Sequence, residues 1–89
     1  MTIKLQSELS IRHVAELKEQ LSEALKGDDS IILDASEVDG ADAAALQLLV
    51  AFIQQASLKK RPVEWHEPAE GFLNTVKLMG LNDALNIQI

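Results

Sequence analysis

The chain has no cysteine among its 89 residues, an absence that excludes disulfides, thiolate nucleophiles and cysteine-ligated metals together. Glycine is scarce as well. The four glycines are too scattered to cradle a phosphate, and no Gly-x-Gly-x-x-Gly, phosphate loop or Ser/His/Asp constellation is present, so an enzyme is not expected. Long apolar runs are missing. The longest, Leu48 to Ile53, is far below the roughly 18–20 residues needed to span a bilayer. No basic-plus-apolar leader opens the sequence, so a cytoplasmic location is expected. Basic residues are outnumbered, 8 against 14 acidic, and the net charge of -6 repels phosphate backbones and anionic headgroups. Nucleic acid and membrane surfaces are not expected partners.

What is present describes an ordinary folding chain. The apolar fraction is 47% and the charged fraction 25%, as in soluble globular proteins rather than disordered or fibrous ones. A chain of this size forms one domain over 1–89 and buries about 60–65% of its unfolded surface.

Ile3 and Leu5 alternate with Lys4 and Gln6 before Leu9, which predicts a strand near 2–9. Ser10 can cap a helix carrying Val14, Leu17, Leu21 and Ala24 at helical spacing, with Gly27 as its stop. The apolar run Ile31-Ile32-Leu33 predicts a central strand covered on both faces. A loop over 34–41 leads to a helix opened by Asp42 and running to about Ser57. That helix has two apolar stripes: Leu46, Leu49, Val50 and Ile53, and, about 100° round the axis, Ala45, Leu48, Phe52 and Ala56. The second stripe either packs on a neighbouring helix or forms the apolar centre of a docking patch.

Lys59-Lys60-Arg61 reads as a polar turn, and Val63 and Trp65 define a third strand that Pro62 enters only at its start. Pro68 suits the first turn of a third helix with Phe72, Leu73, Val76 and Met79 inward and Gly80 at its end. Leu85, Ile87 and Ile89 alternate as a last strand. The order β-α-β-α-β-α-β favours a largely parallel sheet.

Several side chains have chemistry to weigh. His13 and His66 are the only histidines and show no metal-ligand spacing, even with Glu64 or Glu67 recruited. Asp28, Asp29, Asp34, Glu37 and Asp39 lack the spacing of a calcium loop and read as a solvated acidic rim able to steer a basic partner. No metal or cofactor is expected. Asp42 has the chemistry of a helix N-cap, and Ala43-Ala44-Ala45 lets another surface approach closely.

The run from Val38 to Leu49 resembles the signature of STAS domains, the anti-sigma factor antagonist family. Ser7-Glu8-Leu9-Ser10 sits where that family has a Gly-Glu-Leu-Asp turn, Ile31 to Leu33 matches its central strand, and Leu78-Met79-Gly80-Leu81 matches the end of its third helix. The resemblance implies a STAS-type α/β fold: a four-stranded, mostly parallel mixed sheet with about three helices. Against that pattern the starting hairpin is expected to be shortened, and no C-terminal helix is expected after the last strand. In signalling members the aspartate at the Asp42 position precedes a Ser or Thr pair and a glycine, and one hydroxyl is the phosphoacceptor. Ala43, Ala44 and Ala45 stand there instead, leaving no oxygen to accept a phosphoryl group. Ser36 and Ser57 are the nearest hydroxyls, and neither matches the motif.

The resemblance further implies a non-catalytic interaction module in bacterial-type signalling. It would dock a protein through the 37–42 loop and the start of helix two, with Val38, Asp39, Asp42, Ala44, Ala45, Leu48 and Phe52 as contacts. Relatives bind anti-sigma kinases, stressosome or chemotaxis-type signalling components, or the ATPases of lipid-type ABC transporters. Some STAS domains hold small ligands, for which a cavity near Trp65 would be the place. Otherwise Trp65 reads as a buried strand residue.

Overall fold

The computed structural model describes residues 1–87. Its elements are β1 (Thr2–Lys4), β2 (Glu8–Leu9), a 3-10 turn (Ile11–His13), α1 (Val14–Lys26), β3 (Ile31–Asp34), β4 (Gly40–Ala41), α2 (Ala43–Leu58), β5 (Val63–His66) and α3 (Glu70–Leu78). β1, β3 and β5 form a parallel sheet in that spatial order, with β3 central, while β2 and β4 pair parallel in a separate two-stranded ladder. The single strand expected over 2–9 is thus two short strands broken at Leu5–Ser7, one in each sheet.

The register Thr2↔Ile32↔Glu64, Ile3↔Leu33↔Trp65 and Lys4↔Asp34↔His66 sorts the side chains by face. Ile3 and Leu33 are buried in the core with Leu5 and Ile31, and Val63 and Trp65 pack on it. Thr2, Lys4, Glu64 and His66 are exposed on the other face, with Ile32 and Asp34 half-buried between them. This corrects the expectation that β3 is covered on both sides. β3 is flanked by strands at both edges, and only one of its faces carries helices.

Leu17, Leu21 and Ala24 of α1, Leu46, Leu49 and Ile53 of α2, and Phe72 and Val76 of α3 complete the core. Phe72 is fully buried, so Phe72→Ala costs about 3–5 kcal/mol by the usual transfer and cavity terms. The Ser10 side chain makes no capping bond. Its carbonyl accepts from the His13 amide at 2.9 Å and opens the 3-10 turn that precedes α1. Pro68 lies one residue before the N-cap Ala69 of α3, rather than inside the first turn.

Two helix ends have the same geometry. After α3, Gly80 (φ 67°) donates to Lys77 and Leu81 to Val76, each at 3.1 Å. After α2, Lys60 (φ 56°) donates to Ser57 at 3.0 Å and Arg61 to Ala56 at 2.8 Å. Both are Schellman closures, and only the first has the glycine that the left-handed residue favours. Arg61, expected in a polar surface turn, is 8% exposed, because its guanidinium turns inward to backbone carbonyls.

The last segment differs from expectation. Residues 82–86 form a turn, with Leu85 donating to Leu81 at 2.9 Å and Ile87 to Asn82 at 2.8 Å. Leu85 and Ile87 are buried, as a strand pattern requires, but their amides close a local loop instead of joining a ladder. Gln88 and Ile89 of the expected strand lie outside the described residues.

Candidate docking site at the start of α2

Asp42 is the joint of this region. Its amide donates to the Leu9 carbonyl at 2.9 Å, its carbonyl accepts the Leu46 amide at 3.1 Å, and its Oδ1 accepts the Ala45 amide at 3.0 Å. The residue is extended (φ -96°, ψ 171°), as an N-cap must be, and its carboxylate faces the positive end of α2. Such a cap contributes about 0.5–2 kcal/mol against alanine.

The loop before it is held from two sides. Asp39 and Gly40 both donate to the Ser7 carbonyl, at 2.7 and 3.3 Å, and the Ala69 amide donates to Ala35 at 3.0 Å. A Cβ on Gly71 would lie 3.2 Å from the Asp39 carbonyl oxygen, so α3 approaches the loop as closely as only glycine permits without a shift. Ser36 donates both its hydroxyl (2.7 Å) and its amide (3.0 Å) to Asp34 Oδ1. Those two bonds hold the Asp34 carboxyl below its usual range. The Lys4 ammonium, 3.0 Å from Glu37, is shifted up by that hydrogen bond and charge.

The expected contact residues separate by burial. Asp39 and Ala44 are exposed, as are their neighbours Ala43 and Gln47, and Asp42 and Leu48 are half-buried. Val38 and Ala45 are fully buried and Phe52 is 4% exposed. These three side chains fill the core beneath the site, so no partner can touch them in the folded state. The second stripe of α2 is therefore mostly internal packing, with Leu48 its only member at the surface. Ala43 and Gln47 follow from the helical spacing, since i and i+4 share a face.

Beside the loop, Gln6, Ser7, Glu8, His13, Glu37 and Asp39 line an open cleft whose carboxylates give it an acidic rim. Among the described residues no group of His, Asp and Glu is arranged to hold a metal ion. His13 Nδ1 is 3.5 Å from the Ser10 hydroxyl, and His66 is exposed near Glu67. The Trp65 indole donates to the Leu85 carbonyl at 2.8 Å and packs on Phe72 with ring centroids 5.3 Å apart, so its polar edge is already engaged within the fold. No helix among the described residues is long and apolar enough to cross a membrane.

The NMR structure of the protein TM1081 is similar to this chain, with a TM-score of 0.78 and 21% sequence identity over 98% of this chain and 71% of that one. At that identity the likeness shows the fold. No curated protein matches the sequence. A family model described as "Mlab, STAS domain" matches residues 1–88. The helix cap, the paired short strands and the three-helix parallel fold are thus those of a STAS domain, and the chain belongs to this STAS family, whose domains are in general non-catalytic protein-interaction modules of the anti-sigma factor antagonist kind.

Proposed function

We propose that this protein is a cytoplasmic adaptor in bacterial signal transduction that docks a signalling kinase or anti-sigma factor without being phosphorylated at the family position. The observation that carries this reading is the exposed Ala43-Ala44 pair beside the Asp42 cap, with Leu48 half-buried next to it. Small side chains there let a partner's backbone come close to the helix start, and Leu48 supplies apolar area at the centre of a polar rim. The side chains at 43 and 44 carry no oxygen, so docking is constitutive and regulation resides in the partner.

A second reading, a small subunit on the ATPase of a lipid-type ABC transporter, is favoured by the family description "Mlab". The two readings use the same surface and differ in the occupant.

The test is affinity capture from a native lysate by the parent chain, by Leu48→Asp and by Ala44→Arg. Ala44 is exposed, so Ala44→Arg keeps the fold even if Leu48→Asp does not. A kinase or anti-sigma factor retained by the parent and lost by Ala44→Arg supports the adaptor reading. A transporter ATPase with the same loss transfers the protein to the second reading, and retention undiminished by Ala44→Arg removes this surface from both.

A further inference from the structure

The edge of the three-stranded sheet offers a second surface that contains none of the expected docking contacts and touches the docking loop only through the Lys4–Glu37 pair. Among the described residues, β1 has a strand neighbour on one side only. The Ile32 amide donates to the Met1 carbonyl at 2.8 Å and the Leu5 amide to Asp34 at 2.9 Å. Backbone groups of successive strand residues point to opposite sides, so Met1, Ile3 and Leu5 direct theirs to β3, while Thr2 and Lys4 direct N–H and C=O away from the sheet. Outward-pointing groups of this kind are a template for pairing with another chain.

Helix α1 forms a wall along the edge, and the groove between them is lined by Met1, Thr2, Ile3 and Lys4 on the strand side and by Glu16, Glu19, Gln20 and Glu23 on the helix side. Glu16 accepts from Gln6 at 3.1 Å and Glu23 pairs with Lys26 at 3.0 Å. Glu19 makes no ion pair among the described residues. Lys4 is engaged with Glu37 at 3.0 Å, so its charge is committed outside the wall. The Met1 ammonium at the groove donates to the Ser30 carbonyl at 2.9 Å, so the wall presents the carboxylates of Glu16 and Glu19 without a cationic partner among the described residues, and the whole chain carries a net charge of -6. A second copy would bring the same three glutamates and the same net charge to the groove, and like charges repel.

We propose that the β1 edge accepts an extended segment of a partner protein bearing lysine or arginine at alternate positions. Its backbone pairs with Thr2 and Lys4, and its basic side chains lie over Glu16, Glu19 and Glu23. Main-chain hydrogen bonds supply the attachment and the alternate side chains the selectivity, as in other strand-addition complexes.

The test uses the full chain, labelled with nitrogen-15, and the peptide acetyl-Lys-Val-Lys-Val-Lys-amide. Two control peptides complete it: one with its edge-facing backbone nitrogens methylated and one with glutamate in place of lysine. The expected result is movement of the Thr2 and Lys4 amide signals by the lysine peptide alone, with affinity falling roughly fivefold or more as ionic strength rises through the range where the Debye length contracts. Thr2→Pro removes one outward N–H from an edge position that tolerates proline and should abolish the response. Glu19→Lys combined with Glu23→Lys should weaken it while leaving the backbone edge intact. Equal response to the methylated or the glutamate peptide, or no movement at Thr2 and Lys4, overturns the proposal.

Discussion

The guanidinium of Arg61 donates from Nη1 to the carbonyl oxygen of Ala24 across 2.8 Å, so a side chain that follows α2 closes the C-terminal end of α1. Ala24 carries one of the last four carbonyls of α1, which have no partner within the helix, and a cation there also complements the helix dipole. The Nε and Nη2 groups of the same side chain donate to the Asp29 carbonyl. One residue thereby joins the turn after α2 to the turn before β3.

Arg61→Met is expected to lower unfolding stability by about 2–3 kcal/mol, because it takes from the partly desolvated Asp29 carbonyl the donors it has and leaves Ala24 only the long 3.4 Å bond from the Gly27 amide. Arg61→Lys should recover only part, since an ammonium cannot reproduce the planar fork. Urea denaturation measures both. A midpoint for Arg61→Met equal to that of the parent would mean that water replaces the guanidinium at no cost.

Lys60 holds a left-handed conformation at φ 56° in the position where Gly80 stands after α3. Lys60→Gly should therefore stabilise the fold by about 0.5–1 kcal/mol, the left-handed penalty of a side chain less the backbone entropy of glycine. Lys60→Val should destabilise it. A thermal unfolding series of the three chains gives the order.

Gly71 faces the Asp39 carbonyl at a distance that an added Cβ would reduce to 3.2 Å. Gly71→Ala gains about 0.5–1 kcal/mol of helix propensity and loses a similar amount in pushing the loop aside, so its stability stays near that of the parent. The displacement falls on the docking loop. Amide shifts at Asp39 and Gly40, together with weaker partner capture, are the expected outcome, and an unmoved loop would show that α3 yields instead.

The Asp34 carboxyl sits below its ordinary value of 3.8, chiefly through the Ser36 hydroxyl and then the Ser36 amide. Its contribution is complete above the unfolded value and is lost as pH falls through the lower folded one. Ser36→Ala removes the larger cause and keeps the amide. Carboxyl NMR titration should then show Asp34 protonating at higher pH than in the parent, though still below 3.8.

Several elements were legible in the sequence because their signals are local. Asp42 before an apolar-periodic run specifies a helix start, and Gly80 after Met79 specifies a stop, from chemistry confined to one turn of chain. The spacing of Leu17, Leu21 and Ala24 determined the inward face of α1, and the alternation of Val63 and Trp65 that of β5. The charge balance and the missing hydroxyls at Ala43 and Ala44 needed no structure either.

Only the tertiary structure decided which apolar side chains remain for a partner. Leu48 and Phe52 lie on one stripe, yet Phe52 is in the core and Leu48 at its margin, because helical periodicity specifies a direction and not how far the neighbouring surface extends. Leu85 and Ile87 alternate as a strand would, but the chain turns back at Asn86 (φ 57°) and their amides find Leu81 and Asn82. Arg61 reads as a surface cation until the carbonyls of Ala24 and Asp29 are brought to it. In each case the pattern in the chain encodes what must be buried or paired, and the partner that does so comes from elsewhere in the sequence through packing.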